Sequence, residues 1–211
     1  MSRRDNADVR CARCRMLPWL CVCPLLPTPP RPTRTRLALF IHKDEARKPT
    51  NTGQLAAACL ANSEVLVRGH AAQPSAPWVA PPGTRSLLLF PADDAIALDA
   101  LPPTAQPTTL IVPDGTWRQA QRVRSRVPGL SDVPCVVLPA GPPTRYRLRA
   151  ESRPGGLATL EAIARAFAIL EGPEVGAMLE RVFDAVVERT LWSRGRLSAD
   201  QVAAGIPPAS A

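Results

Sequence analysis

Short apolar runs alternate with amphipathic stretches through the middle of the chain. Leu37-Ala38-Leu39-Phe40-Ile41, Val65-Leu66-Val67, Ser86–Phe90, Leu110-Ile111-Val112 and Cys135–Leu138 are too short for buried helices and stop at proline, glycine or charged residues. They predict buried strands. Between them a helical period predicts helices from about Thr50 to Asn62 and from Thr116 to about Val127. A short one is expected at Pro91–Ala95, with acidic residues at its positive end. The clearest helical pattern comes last. Leu160, Ile163, Ala164, Phe167 and Leu170 share a face, Gly172-Pro173 interrupts it, and Val175, Met178, Leu179, Val182, Phe183 and Val186 resume it. Strands alternating with helices predict an α/β fold with a mostly parallel sheet.

Within that alternation residues 108–123 stand out. The strand ending at Pro113 gives way to a helix within about three residues. In open parallel sheets ligands bind at the carboxyl ends of strands, so Asp114, Gly115, Thr116 and Trp117 occupy the expected position for chemistry. The structural alternative is a helix start, with Asp114 or Thr116 as cap, Gly115 as turn and Trp117 as core anchor. Phe90-Pro91 and Leu138-Pro139 close their strands in the same way. No G-x-G-x-x-G follows the first strand and no G-x-x-x-x-G-K-[ST] occurs, so a dinucleotide fingerprint and a P-loop are both unsupported.

Ahead of the first strand, Cys11-Ala-Arg-Cys14 and Cys21-Val-Cys23 place four thiols in a short segment. Four thiolates satisfy tetrahedral zinc and leave no open position, which predicts a structural metal; a redox-active pair or incidental thiols are the alternatives. Cys59 and Cys135 sit in apolar surroundings and read as inert buried thiols. The organisation expected is a zinc-binding knuckle at 1–25, a proline-rich connector at 26–36, one domain at 37–194 and a flexible tail at 195–211.

Charge adds a partner class. Basic residues outnumber acidic ones 26 to 18, for a net +8, and all but Lys43 and Lys48 of the basic residues are arginine. Arginine forks match phosphates and stack on bases, so a polyanion is expected, against the alternative of a merely soluble basic surface. Arg118, Arg122 and Arg126 fall at i, i+4, i+8 on one helix, and the run Pro143–Arg149 holds the only tyrosine, Tyr146. His42 and Glu45 lack the second nearby histidine a metal site would need. No apolar run approaches the roughly 20 residues of a membrane span, and no apolar signal segment is visible, which predicts a cytoplasmic location.

Five segments, taken in order, resemble the DTW-domain family. They are the cysteine cluster; His42-x-x-Glu45 with Thr50-Asn51-Thr52-Gly53; Asp114-Gly-Thr-Trp117; Tyr146-x-Leu148-Arg149; and Leu157-Ala158-Thr159-x-Glu161-Ala162, in which Ala158 replaces the family's serine. The resemblance spans roughly residues 11 to 192. It implies a tRNA-uridine aminocarboxypropyltransferase, which moves the 3-amino-3-carboxypropyl group of S-adenosylmethionine onto N3 of a uridine, at position 47 of the tRNA variable loop in bacterial relatives, and releases methylthioadenosine. It further implies a SPOUT-like fold with a carboxy-terminal knot and a small zinc knuckle. Asp114 and Trp117 would be catalytic, with Asp114 either base or anchor for the donor's ammonium. Phe90, Pro91, Asp114, Gly115, Thr116, Leu138, Arg149, Thr159 and Glu161 would bind the donor, Arg149 holding its carboxylate. Cys11, Cys14, Cys21 and Cys23 would hold the metal; His42, Arg47, Thr50, Asn51, Arg118, Arg122, Tyr146 and Arg147 would meet RNA. The rival readings are a SPOUT-like RNA methyltransferase and a non-catalytic zinc-containing RNA-binding module.

Overall fold

A strand covered on both faces has no reason to alternate in polarity, and β1 (Arg36–His42) shows this: its five central residues are all buried. The computed structural model describes residues 9–48, 51–70, 75–148 and 155–208. The other strands are β2 (Ser63–Arg68), β3 (Arg85–Leu89), β4 (Ile96–Ala97), β5 (Thr108–Asp114) and β6 (Cys135–Val137). They form one sheet in the order β2-β1-β5-β3-β6-β4, and every pair is parallel. Consequently the carboxyl ends of β1, β5, β3 and β6 open on the same edge of the sheet.

The helices are α1 (Lys43–Ala46), α2 (Gly53–Cys59), α3 (Trp117–Gln121), α4 (Val123–Arg126), α5 (Thr159–Glu171) and α6 (Pro173–Ser193). On one face of the sheet Leu37, Leu39, Leu87, Leu110 and Val112 pack with the apolar stripes of α2, α5 and α6. On the other, Ala38, Phe40, Leu88 and Ile111 meet Val123, Val127, Leu130 and Val133. The expected α/β architecture with a parallel sheet is thus present, as three layers. No helix among the described residues is long and apolar enough to cross a membrane.

Several boundaries differ from the pattern's expectation. β5 does not stop at Pro113 but runs to Asp114. The ladder with β3 ends at Leu88↔Ile111, so Pro113 pairs only with β1 and its missing N–H breaks no rung on the other side. Pro91–Ala95 is a turn, not a helix, and Asp94 there takes a two-pronged contact from Arg124 at 2.8 and 2.9 Å. The helix expected from Thr116 to Val127 breaks at Arg122. The Arg68 guanidinium donates to the Gln119 carbonyl, the acceptor that the Val123 N–H would use in an unbroken helix.

The cysteine segment is not a separate bead. Cys14, Met16, Leu20, Val22 and Leu26 are buried in the same core as α5 and α6. Arg189 of α6 donates to the Cys21 carbonyl on one side and to the Ala204 and Gly205 carbonyls on the other. Residues through Gly205, expected as part of a flexible tail, are therefore docked, with Val202 buried; three carbonyls around one fixed guanidinium outweigh the fraying of a chain end.

Candidate functional site

Asp114 is carried to the end of β5 beside Ile41 of β1, and only 5% of it is exposed. A buried carboxylate must be met by donors, and two are near. Asn51 Nδ2 donates to its Oδ2 at 2.6 Å, and the Thr159 hydroxyl donates to Oδ1 at 2.7 Å. Asn51 precedes α2 and Thr159 opens α5, so two helix N-termini converge on this carboxylate and favour negative charge there. Gly53 permits the approach: a Cβ at that position would lie 2.6 Å from Asp114 Oδ2 and 3.1 Å from Thr159 Cγ2.

The expected capping roles sort differently. Of the two cap candidates, it is Thr116 that is the N-cap of α3, in a complete capping box with Gln119. Thr159 is the first residue of α5, and Ala158, which holds the cap position, offers no side-chain oxygen. Thr52 supplies it from outside, its hydroxyl accepting from the Leu160 N–H at 3.3 Å. The alanine that replaces the family's serine is thereby offset by a side chain from α2's own cap, which also ties the two helix starts together.

Around Asp114 opens a cleft of about 1110 Å³, lined by Asn51, Phe90, Pro91, Asp114, Gly115, Thr116, Trp117, Arg118, Leu138, Tyr146 and Thr159, together with Glu45, Thr52, Thr144, Gly155–Ala158 and Arg165. Trp117 and Phe90 lean on each other at 6.1 Å and form one apolar wall. Tyr146 is buried and stacked on Phe183 of α6 at 6.1 Å, so one face of its ring is already covered. Eleven residues singled out in the sequence thus meet at the strand ends.

Others stand elsewhere. Glu161 is 1% exposed and lies behind the wall, where its carboxylate accepts from the Thr144 hydroxyl at 2.5 Å, the Arg145 N–H at 3.1 Å and Arg165 Nη2 at 3.1 Å. It clamps the loop 141–146 and does not line the cleft. His42 caps α1, accepting from the Asp44 N–H at 3.3 Å; burial lowers its pKa although Asp44 opposes this. Arg47, Arg122, Arg126 and Arg147 are exposed outside the cleft, while Arg118 is exposed at its rim. Thr50 and Arg149 lie outside the described residues. Thr52 and Gly53 stood in a family motif without a site role of their own, and Thr144 and Arg165 had none by sequence. Gly53 adjoins the Thr-Asn-Thr run, and Arg165 stands four residues beyond Glu161 as a helix ion pair would.

The cysteine cluster makes a second centre. The sulfurs of Cys11, Cys14, Cys21 and Cys23 all lie within 4.8 Å of one another, with Cys11–Cys23 at 3.5 Å and Cys14–Cys21 at 3.6 Å. A tetrahedron with Zn–S bonds of about 2.3 Å has sulfur–sulfur edges of about 3.8 Å, so the set fits such an ion. Burial raises the Cys14 and Cys23 thiols. At Cys11 burial is outweighed by the backbone N–H groups of Cys14 and Arg13 and by neighbouring thiols, which bring it down to about 7. Cys59 and Cys135 are buried and their thiols are pushed up by desolvation, Cys59 to about 12, which agrees with inert core thiols.

Comparison with known proteins gives the family. The DTW domain model matches residues 8–191. Proteins named tRNA-uridine aminocarboxypropyltransferase 2 are similar to this chain. The one from Drosophila melanogaster is 29% identical over 186 residues, covering 83% of this chain and 72% of its own length. Those from Macaca fascicularis and Mus musculus are 30% and 31% identical over 167 and 177 residues, covering 76% and 79% of this chain. The chain spans 56% and 59% of the length of those two relatives. No solved structure matches. Because the match runs from the cysteine cluster through every strand and into the last turns of α6, the chain belongs to the DTW-domain family.

Proposed function

We propose that this protein transfers the 3-amino-3-carboxypropyl group of S-adenosylmethionine to N3 of a uridine in tRNA, in the variable loop, in the cytoplasm. The carrying observation is the buried Asp114, held by Asn51 and Thr159 at the strand ends, in a cleft with an aromatic wall. The cleft volume of about 1110 Å³ exceeds the 300–1,000 Å³ common for single small ligands, which suits a donor plus an unstacked base. The names of the relatives agree with this chemistry.

In the reaction N3 of the uridine attacks the γ-carbon of the donor chain. The N3–Cγ bond forms as the Cγ–S bond breaks, the electron pair of that bond goes to sulfur, and neutral methylthioadenosine leaves. The N3 proton passes to solvent water. The sulfonium already activates the carbon, so the protein's task is chiefly orientation. Both Asp114 oxygens accept short hydrogen bonds, from Asn51 and Thr159, which fix the carboxylate in place as an anchor. It anchors the donor's ammonium group rather than serving as the base. Trp117 and Phe90 enclose the adenosine, and the strand-end backbone near Pro91 and Leu138 supplies its polar contacts. Exposed Arg118 and Arg122 follow the RNA backbone.

The four cysteines hold zinc as a structural ion that fixes the amino-terminal segment against α6. A SPOUT-like carboxy-terminal knot belongs to the same reading. The test is incubation with unmodified tRNA and S-adenosylmethionine, followed by mass analysis of nucleosides and of the adenosine by-product. Aminocarboxypropyluridine with methylthioadenosine is expected. A methylated nucleoside with adenosylhomocysteine would replace this reading with a methyltransferase, and unchanged tRNA and donor across a whole tRNA pool would leave only an RNA-binding module.

A further inference from the structure

The transferring end of the proposed donor is a zwitterion, and a site that orients it needs a fixed cation as well as the anion at Asp114. Resting on the proposed transferase reading, we propose that Arg165 receives the donor's carboxylate and so sets selectivity for the amino-acid end.

Among the described residues, four charged side chains line the cleft: Glu45, Asp114, Arg118 and Arg165. Glu45 is occupied by Lys48 at 2.6 Å. Arg118 stands exposed on the first turn of α3, at the rim of the cleft. Arg145, adjacent in the wall, is held outward by Glu180 and Asp184, each at 3.2 Å. Arg165 differs from all three. Its Nη2 is pinned by Glu161 Oε1 at 3.1 Å and faces the Pro143 carbonyl at 3.5 Å, and its side chain is only 19% exposed. The other terminal nitrogen, Nη1, has no hydrogen-bond partner among the described residues, and a Cβ at Gly141 would come within 3.2 Å of it.

A guanidinium with one edge tied to a buried carboxylate and the other edge open is already ordered before ligand arrives. It loses little further freedom on binding, and its planar donors suit a carboxylate. Glu161, which does not line the cleft, thereby acts as a positioning residue through Arg165. Glycine at 141 keeps the open edge clear.

The test compares two ligands that share the adenosine: S-adenosylmethionine, which carries the amino-acid end, and methylthioadenosine, which lacks it. Calorimetric titration of the wild-type chain should show both binding. Arg165→Gln should weaken S-adenosylmethionine by about tenfold to a hundredfold, the worth of one charge-assisted contact. It should leave methylthioadenosine within about threefold. Arg165→Lys should recover part of the loss. Gly141→Val, which crowds Nη1 but leaves the Glu161 pair, should reproduce the selective loss and covers the case in which Arg165→Gln fails to fold. Equal weakening of both ligands, or of neither, overturns the assignment, as does a selective loss in Arg149→Ala with none in Arg165→Gln. A wild-type chain that binds neither ligand removes the transferase reading itself.

Discussion

Replacing Gly53 by alanine adds one methyl group at the tightest point of the site. That carbon would sit 2.6 Å from Asp114 Oδ2, while ordinary contact begins near 3.4 Å, so the carboxylate must retreat by about 0.8 Å or α2 must lift. Either movement stretches the 2.6 Å bond from Asn51 and the 2.7 Å bond from Thr159. Hydrogen bonds to a charged group contribute about 1.5 to 3 kcal/mol each, and alanine returns up to about 1 kcal/mol of helix propensity. The net cost is about 1 to 3 kcal/mol, which for a chain of this size lowers the melting temperature by about 3 to 10 °C. The effect on turnover should be larger in proportion, because displacing a catalytic group by close to 1 Å can cost about a hundredfold. Differential scanning calorimetry and steady-state formation of aminocarboxypropyluridine measure the two quantities on one preparation. A Gly53→Ala protein with unaltered kcat/KM would show that the position of Asp114 does not govern the chemistry, and the argument from its hydrogen bonds would fail.

Two further outcomes are expected. Metal analysis should find one zinc per chain, and removing it with a strong chelator, or changing Cys14 to serine, should lower the melting temperature by well over 5 °C, because Leu20, Val22 and Leu26 belong to the main core. Arg122→Ala should weaken tRNA binding and reduce the slope of log K against log salt by about one, while methylthioadenosine affinity stays unchanged, since Arg122 is exposed and does not line the cleft.

Much of this arrangement was legible from local pattern. The apolar runs became strands because a fully covered parallel sheet requires continuous apolar segments, and the α5–α6 pair followed from its period and the Gly172-Pro173 break. Asp114 could be placed at a strand end from the change of period alone. What local pattern missed was decided by partners distant in sequence. The helix broke at Arg122 because Arg68, on β2, took a carbonyl. The start of α5 was capped by Thr52 across more than a hundred residues, so Thr159 was freed to face Asp114. Glu161 looked like a ligand contact through its motif, yet its neighbours turned it toward the wall loop. Proline at 113 marked the right place but not the strand's end, since whether a missing donor matters depends on which neighbour the ladder has already lost.

Gly176, near the start of α6, faces Ala164 and Ala168 of α5. A methyl group there would fall 2.6 Å from the Ala168 Cβ, so α5 and α6 touch almost backbone to backbone at that point and cannot slide past each other. Together they act as one stiff lever. At its far end Arg189 grips the cysteine segment, along its middle Glu180 and Asp184 grip Arg145, and at the start of α5 Thr159 steadies the buried Asp114 carboxylate. A disturbance of the cysteine segment should therefore reach the strand-end cleft through these helices, and substitutions near those thiols are expected to alter turnover in the nucleoside assay before the melting temperature falls far.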